Sequence, residues 1–221
     1  MNHVLVRRIA SAAAAITLAA CASTPPPQWQ IDAQQAVELA IAAYLQGDAR
    51  SAAVEAGRAR HALAATGRPA LLARMELARC AARVASLVFE PCAGFEALRV
   101  DAADAELAYA DYLAGRVAPQ QVALLPAAQR AAAAADAQGS AAALSAIEDP
   151  LSRLVAAGVM FASGRASPAA IALAADTASA QGWRRPLLAW LGVQRALAER
   201  SADRAAVERL QRRIDVIMGG R

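Results

Sequence analysis

The chain contains no lysine, only two histidines and few aromatic residues, and each shortage excludes some classes of protein. All 23 basic side chains are therefore arginine. Aromatic residues make up 4% of the 221 residues, and β-branched residues are also sparse. Because strands are enriched in those side chains, the composition argues against a β-rich fold. About three residues in ten are alanine, the best helix former, so we predict an all-α protein.

Prolines, glycines and capping residues divide residues 31–221 into a series of helices. We expect seven helices with two predicted ends, over about 32–45, 48–66, 69–89, 101–115, 140–147, 149–163 and 167–182. A further helix starts at Pro119 and bends or restarts at Pro126. Two more helices follow near the C-terminus, one with Pro186 in its first turn and a last one that starts at Asp203. Asp32, Asp48 and Asp101 are predicted caps of helix N-termini. Asp149-Pro150 and Ser167-Pro168 each resemble a cap followed by a first-turn proline.

A short internal repeat supports a series of antiparallel helical hairpins. Residues 112–124 and 161–173 each place an aromatic residue three positions before a glycine and a proline four positions after it. Residues 44–47 are a looser third copy. The chain is therefore similar, over about half its length, to the tetratricopeptide helical arrays, although their complete consensus occurs in no window. We expect one domain over 31–221, built as an irregular array of this kind or as a helical bundle.

The N-terminus has the features of a secretory signal. Arg7 and Arg8 precede an apolar run of twelve residues, 9–20, which is too short to span a bilayer. The run ends in Leu18-Ala19-Ala20-Cys21, which resembles the lipobox of bacterial lipoproteins. That resemblance implies cleavage of residues 1–20 and attachment of acyl chains to Cys21. It also implies a protein anchored by lipid to a membrane and facing the periplasm.

The residues after Cys21 extend this interpretation. Three consecutive prolines at 25–27 favour a stiff tether over 21–30 that holds the folded part away from the lipid. Lipoproteins of the inner membrane often carry aspartate directly after the lipidated cysteine. Ala22 occupies that position here, so the resemblance implies the outer membrane. A periplasmic location excludes nucleic acid as a partner.

Two cysteines remain after lipidation, Cys80 and Cys92. An oxidising compartment favours a disulfide between them. The chain can close this short loop only if it reverses direction directly after Val88, which Glu90-Pro91 favours. A reactive thiol pair is the alternative.

Few residues offer catalytic or metal-binding chemistry. His61 is the only histidine outside the signal, so a metal site or a Ser-His-Asp triad would depend on it alone; we expect it to be solvated or packed. No phosphate-binding glycine-rich loop or dinucleotide fingerprint occurs. We therefore predict no metal, no cofactor, no small-molecule substrate and no enzymatic activity.

Two charged groups offer alternatives. Four carboxylates crowd one predicted helix: Asp101, Asp104, Glu106 and Asp111. A carboxylate pair can hydrolyse glycans, whereas carboxylates in a first turn are also favoured by the helix dipole. Five arginines near the C-terminus form a possible partner surface for an anion: Arg184, Arg185, Arg209, Arg212 and Arg213. Intrahelical pairs such as Glu208 with Arg212 favour a solvated face instead.

From these features we expect a non-enzymatic scaffold or assembly factor that binds another envelope protein between its helices. The alternative is a protein that interacts with peptidoglycan or another glycan, possibly as an enzyme that uses carboxylates. A purely structural lipoprotein is a third possibility.

Overall fold

The computed structural model describes residues 25–219, and every regular element in this range is helical. The predicted signal, Cys21 and Ala22 lie outside the described residues. The α-helices are α1 (Gln28–Gln46), α2 (Ala49–Ala64), α3 (Pro69–Ala85), α4 (Ala93–Glu96), α5 (Asp104–Leu113), α6 (Ala127–Ala134), α7 (Ser140–Ser145), α8 (Pro150–Ala162), α9 (Pro168–Ala180), α10 (Arg184–Arg200) and α11 (Arg204–Gly219). Two 3-10 helices span Arg99–Asp101 and Pro119–Leu124. The predicted all-α class is confirmed.

Four of the predicted helix starts are confirmed by side-chain caps. Asp48, Asp149 and Ser167 each accept a hydrogen bond from the backbone N–H three residues further on, with distances of 3.0, 2.7 and 3.2 Å. Asp203 does the same for Ala206 at 2.9 Å. Each side chain satisfies one of the free N–H groups in the first turn.

Two predicted caps are wrong. Helix α1 starts at Gln28, so Asp32 lies within it and accepts a hydrogen bond from the side chain of Gln28 at 2.7 Å. Asp101 ends a 3-10 turn, and the following helix begins only at Asp104. In addition, Pro119 opens a 3-10 helix instead of an α-helix, and α3 ends at Ala85, a few residues before the predicted position.

The internal repeat corresponds to one recurring way of ending a helix. Gly47, Gly115 and Gly164 all have positive φ, at 89°, 72° and 69°. In each case the N–H after the glycine bonds to the carbonyl five residues earlier, as Arg116 does to Asp111 at 2.8 Å. This is the Schellman motif, which glycine permits because it lacks a Cβ atom. The pattern found in the sequence therefore marks helix ends and reverses the chain.

Helices α3 and α8 form the centre of the main core. They approach closely because Gly158 of α8 faces the backbone of Val84 in α3; a Cβ atom at 158 would lie only 2.9 Å from the carbonyl carbon of Val84. Around this contact lie the completely buried Trp190, Phe95 and Leu154. A smaller cluster, which includes Ala59 and Met75, packs α2 against α1 and α3.

The array closes on itself as a bundle. Helices α9, α10 and α11 follow α8 as successive packed neighbours, but α10 also contacts α1. Its Arg185 donates a hydrogen bond to the carbonyl oxygen of Tyr44 at 2.7 Å. In an open solenoid each repeat contacts only its neighbours. Because α10 contacts α1, the arrangement is bundle-like, which is one of the two expected forms, the irregular array and the helical bundle. Within residues 25–219, no helix is long and apolar enough to cross a membrane.

Candidate functional site

A concave surface formed by two adjoining cavities lies along α3, and we call it the α3 groove. One part is a cavity of about 560 Å³ bounded by α3, α5, α6, α8 and the 3-10 helix Pro119–Leu124. A second cavity of about 580 Å³ lies between α1 and α3, and Arg74 and Ala78 line both cavities. The apolar side chains that line the groove are Trp29, Val37, Ile41, Leu71, Leu77, Leu124, Leu125, Leu151 and Val155.

A buried carboxylate forms part of the groove wall. The side chain of Glu106 is about nine-tenths buried, and its Oε1 accepts a hydrogen bond from Nε of Arg74 at 2.6 Å. Its other oxygen, Oε2, is buried and has no donor within the described residues. A buried oxygen without a donor costs free energy. Glu106 therefore retains capacity to accept a hydrogen bond.

Two tyrosines and a glutamine give this wall its polar structure. The hydroxyl of Tyr112 donates to Oε1 of Gln129 at 2.8 Å, and Nε2 of Gln129 donates to the carbonyl of Ser152 at 3.0 Å. Burial raises the pKa of both Tyr109 and Tyr112, so both hydroxyls stay protonated. Gln129, Tyr109 and Glu106 thus place polar groups along a mostly apolar groove, and hydrogen bonds hold Gln129 and Glu106 in place.

The opposite face of α3 borders a second site, which we call the arginine cavity. Its volume is about 590 Å³, and it is lined by Arg60 of α2, Arg79 and Arg83 of α3, and Arg185 of α10. Two carboxylates also line it, Glu76 and Glu90. The six side chains carry four positive and two negative charges, so the cavity has an excess of two positive charges.

Cys80 and Cys92 line the arginine cavity as a disulfide, as predicted. Their Cα atoms are 5.9 Å apart, within the usual range for a disulfide. The chain turns at Leu87, which has positive φ, slightly earlier than the predicted reversal after Val88; the N–H of Val88 donates to the carbonyl of Arg83 at 2.9 Å. The disulfide therefore fastens the loop before α4 to helix α3.

The four predicted carboxylates do not form one cluster. Glu106 faces the groove and Arg74, whereas Asp111 lies 3.7 Å from Arg99 and 3.8 Å from Arg116. Asp101 and Asp104 are exposed. His61 is also exposed, on α2, and among residues 25–219 there is no group of three or more potential metal ligands.

The C-terminal arginines occupy different environments. Arg185 lies with its guanidinium 4.3 Å from the centre of the Tyr44 ring, in a cation–π contact, and so belongs to the arginine cavity. Arg184 is half-buried, and one of its Nη atoms has no acceptor among residues 25–219. Arg209, Arg212 and Arg213 are exposed on α11, where Arg212 lies 4.0 Å from Glu208.

Sequence reasoning missed the functional division of α3. Arg74, Ala78 and Ala81 lie on the groove side, whereas Glu76, Arg79, Cys80 and Arg83 lie on the arginine cavity. Spacings of three and four residues put side chains on one helical face, so the second set was detectable as a charged stripe. Its convergence with Arg60 and Arg185 was not detectable, because those residues belong to other helices.

Comparison with protein-family models, with curated proteins and with solved structures found no match to this chain.

Proposed function

We propose that this chain is a lipid-anchored lipoprotein of the outer membrane, on its periplasmic face, that acts as a non-enzymatic scaffold. In this proposal it binds a segment of another envelope protein in the α3 groove. The signal features, Leu18-Ala19-Ala20-Cys21 and the tether support the anchoring and the location. If these features hold, the chain meets its partner in the periplasm.

The α3 groove is the observation that carries the scaffold role. It is an open concave surface lined mainly by apolar side chains, with a few fixed polar groups. Grooves of this composition accept amphipathic segments, whose apolar side chains fill the groove and whose polar side chains fix the register. The free acceptor on Glu106 favours a partner segment that brings a hydrogen-bond donor or a cation to the groove.

The glycan-related alternative has less support from the geometry. A glycosidase needs two carboxyl groups that face each other across the substrate bond. Of the four carboxylates on and before α5, Glu106 is paired with Arg74 and Asp111 lies beside two arginines. The groove is also mainly apolar, which suits protein side chains better than sugar hydroxyls.

Site-specific photocrosslinking in the native host tests the proposal. A photoreactive amino acid is placed at Leu124, an exposed apolar residue on the groove, or at Val100, which is 91% exposed and outside both cavities. We expect the Leu124 position to give one adduct of defined mass and Val100 to give none. Mass spectrometry identifies the adduct, and the purified partner is then tested for direct binding. Equal labelling at both positions contradicts the proposal.

A pair of matched variants separates groove binding from non-specific adhesion. Ala78→Trp places a large side chain where the two cavities meet, whereas Ala64→Trp adds the same side chain to an exposed position on α2. We expect Ala78→Trp to abolish the adduct and Ala64→Trp to preserve it. Cys21→Ser should also abolish it by removing the anchor; an unchanged adduct there would contradict the membrane part of the proposal.

A further inference from the structure

The arginine cavity differs in chemistry from the α3 groove, although Ile41 lines both. Four guanidinium groups from three helices surround one cavity, together with the carboxylates of Glu76 and Glu90. A partly enclosed site with an excess of positive charge concentrates anions, because its walls screen the charges less than water does. The planar guanidinium group is also the preferred donor for phosphate and carboxylate oxygens.

Buried contacts hold three of the four guanidinium groups in place. Glu76 is only 4% exposed and accepts hydrogen bonds from both Arg60 and Arg79, the latter at 2.9 Å. A Cβ atom at Gly94 would collide with the Glu76 carboxylate, so glycine is what lets that carboxylate reach its position. Arg185 is fixed by the carbonyl and the ring of Tyr44. Preorganised donors of this kind lose little entropy when a ligand binds.

These contacts leave most of the donors free. Each arginine has five N–H donors. The side-chain hydrogen bonds of the four arginines use one nitrogen on each: with Glu76 for Arg60 and Arg79, with Glu90 for Arg83, and with Tyr44 for Arg185. Glu90 is itself largely exposed and can swing away from Arg83. The cavity can therefore offer donors from several of its arginines to an anion.

We propose that the arginine cavity binds a phosphate group of a ligand, with Arg60, Arg79, Arg83 and Arg185 as the donors. The ligand is a soluble phosphate or diphosphate, or the phosphate of a lipid headgroup. Tyr44 lies near the end of α1 that is opposite the tether, about 24 Å from Gln28 at 1.5 Å per residue. With the proposed anchor at Cys21, on which this choice of source rests, the cavity lies at the end of α1 away from the anchor, which favours a soluble source.

Calorimetric titration of the full chain in neutral detergent tests the site, with inorganic phosphate and pyrophosphate as probes at low ionic strength. We expect saturable binding, tighter for pyrophosphate because it carries more charge, and weaker as sodium chloride is added. Absence of binding for both probes would overturn the proposal.

Matched substitutions on α2 locate the binding. Arg60→Gln removes a donor of the cavity, whereas Arg58→Gln removes an arginine two residues away that pairs with Glu55 outside it. We expect Arg60→Gln to weaken pyrophosphate binding at least about tenfold, the usual effect of losing a hydrogen bond to a charged group, and Arg58→Gln to have little effect. Equal effects of the two would overturn the proposal.

A second variant distinguishes loss of a phosphate donor from loss of folding. Arg60→Gln removes one of the two partners of the buried Glu76, whereas Arg83→Gln removes only the pairing with the exposed Glu90. Arg83→Gln should therefore melt like the parent chain and still bind pyrophosphate at least about tenfold more weakly. Unchanged binding in a folded Arg83→Gln chain would remove Arg83 from the site and contradict the four-arginine arrangement.

Competition distinguishes the two sources of phosphate. Short-chain phosphatidylglycerol is added below its micellar concentration, with phosphatidylcholine of the same chain length as the zwitterionic control. Displacement of pyrophosphate by phosphatidylglycerol alone would identify a lipid headgroup as the ligand. Displacement by neither lipid, with pyrophosphate binding intact, would identify a soluble phosphate.

Discussion

The indole N–H of Trp190 donates a hydrogen bond to the carbonyl oxygen of Ala85 at 3.1 Å, between residues 105 positions apart. It joins α10 to the last turn of α3, where the carbonyl groups of a helix lack partners within the helix. Trp190 is completely buried, and its ring packs edge-on against Phe161 of α8 at 5.8 Å. Three helices that are distant in sequence thus meet at one side chain.

Trp190→Phe should therefore destabilise the fold by about 3 kcal/mol. The change leaves the Ala85 carbonyl without its donor and creates a small cavity, and the two effects add. Urea unfolding followed by circular dichroism measures the loss. Trp29→Phe, at a half-buried position near the start of α1, is the control and should change stability by less than about 1 kcal/mol. Equal effects would contradict the role assigned to Trp190.

Two glycine substitutions should have opposite effects. Gly158→Ala puts a methyl group against the Val84 backbone and forces α3 and α8 apart, which should cost about 2–3 kcal/mol or more. Gly57→Ala lies in the exposed middle of α2 with no atom within 4 Å of the new Cβ, so it should stabilise by about 0.5–1 kcal/mol. Thermal melting of both variants checks the signs; a neutral Gly158→Ala would contradict the close approach.

Reduction of Cys80–Cys92 should lower the free energy of unfolding by about 3 kcal/mol, because a short covalent loop restricts the unfolded chain. Urea unfolding with and without dithiothreitol measures the difference. The double variant Cys80→Ser/Cys92→Ser is the control, and dithiothreitol should leave its stability unchanged. A parent chain that is equally insensitive to dithiothreitol would show that the disulfide does not contribute.

Stability should decline at alkaline pH because of the buried tyrosines. Burial raises the pKa of Tyr109 and Tyr112 above the ordinary value, whereas in the unfolded chain both ionise near pH 10. Above about pH 10 the unfolded chain therefore releases protons that the folded chain keeps, and each tyrosine lowers the free energy of unfolding by up to about 1.4 kcal/mol per pH unit. Urea unfolding between about pH 8 and 11 measures this slope.

Tyr109→Phe provides the matched comparison, because it removes one ionising hydroxyl and keeps the ring. The free energy of unfolding of the Tyr109→Phe chain should fall with pH less steeply than that of the parent chain, by up to about 1.4 kcal/mol per pH unit. An identical slope for both chains would mean that Tyr109 ionises equally easily when folded.

Local structure was largely predictable because its causes lie within a few residues. Asp48, Asp149 and Ser167 cap helices as expected, and Gly47 and Gly115 end them with positive φ. Asp32 and Asp101 failed as predicted caps because aspartate tolerates other positions near a helix start, and the helix boundary depends on neighbouring contacts as well.

The sites were less predictable than the helices. The sequence marks Glu106 only as one of several carboxylates, and nothing in its neighbours along the chain indicates that Arg74, 32 residues earlier, binds it. The sequence places Arg185 close to the arginines of α11, yet it faces Tyr44, 141 residues away. Both errors have one origin: spacing along a helix gives the face of a residue but not the helix that covers that face.

The sequence by itself determined the helical class, most helix ends and the possible Cys80–Cys92 pairing, because propensity, capping and loop closure act over short distances. The tertiary structure decided which helices are neighbours. Alanine-rich helix faces resemble one another, so the choice depended on a few particular contacts, such as Gly158 against Val84 and Trp190 against Ala85. Those contacts closed the bundle and brought the arginines of α2, α3 and α10 around one cavity.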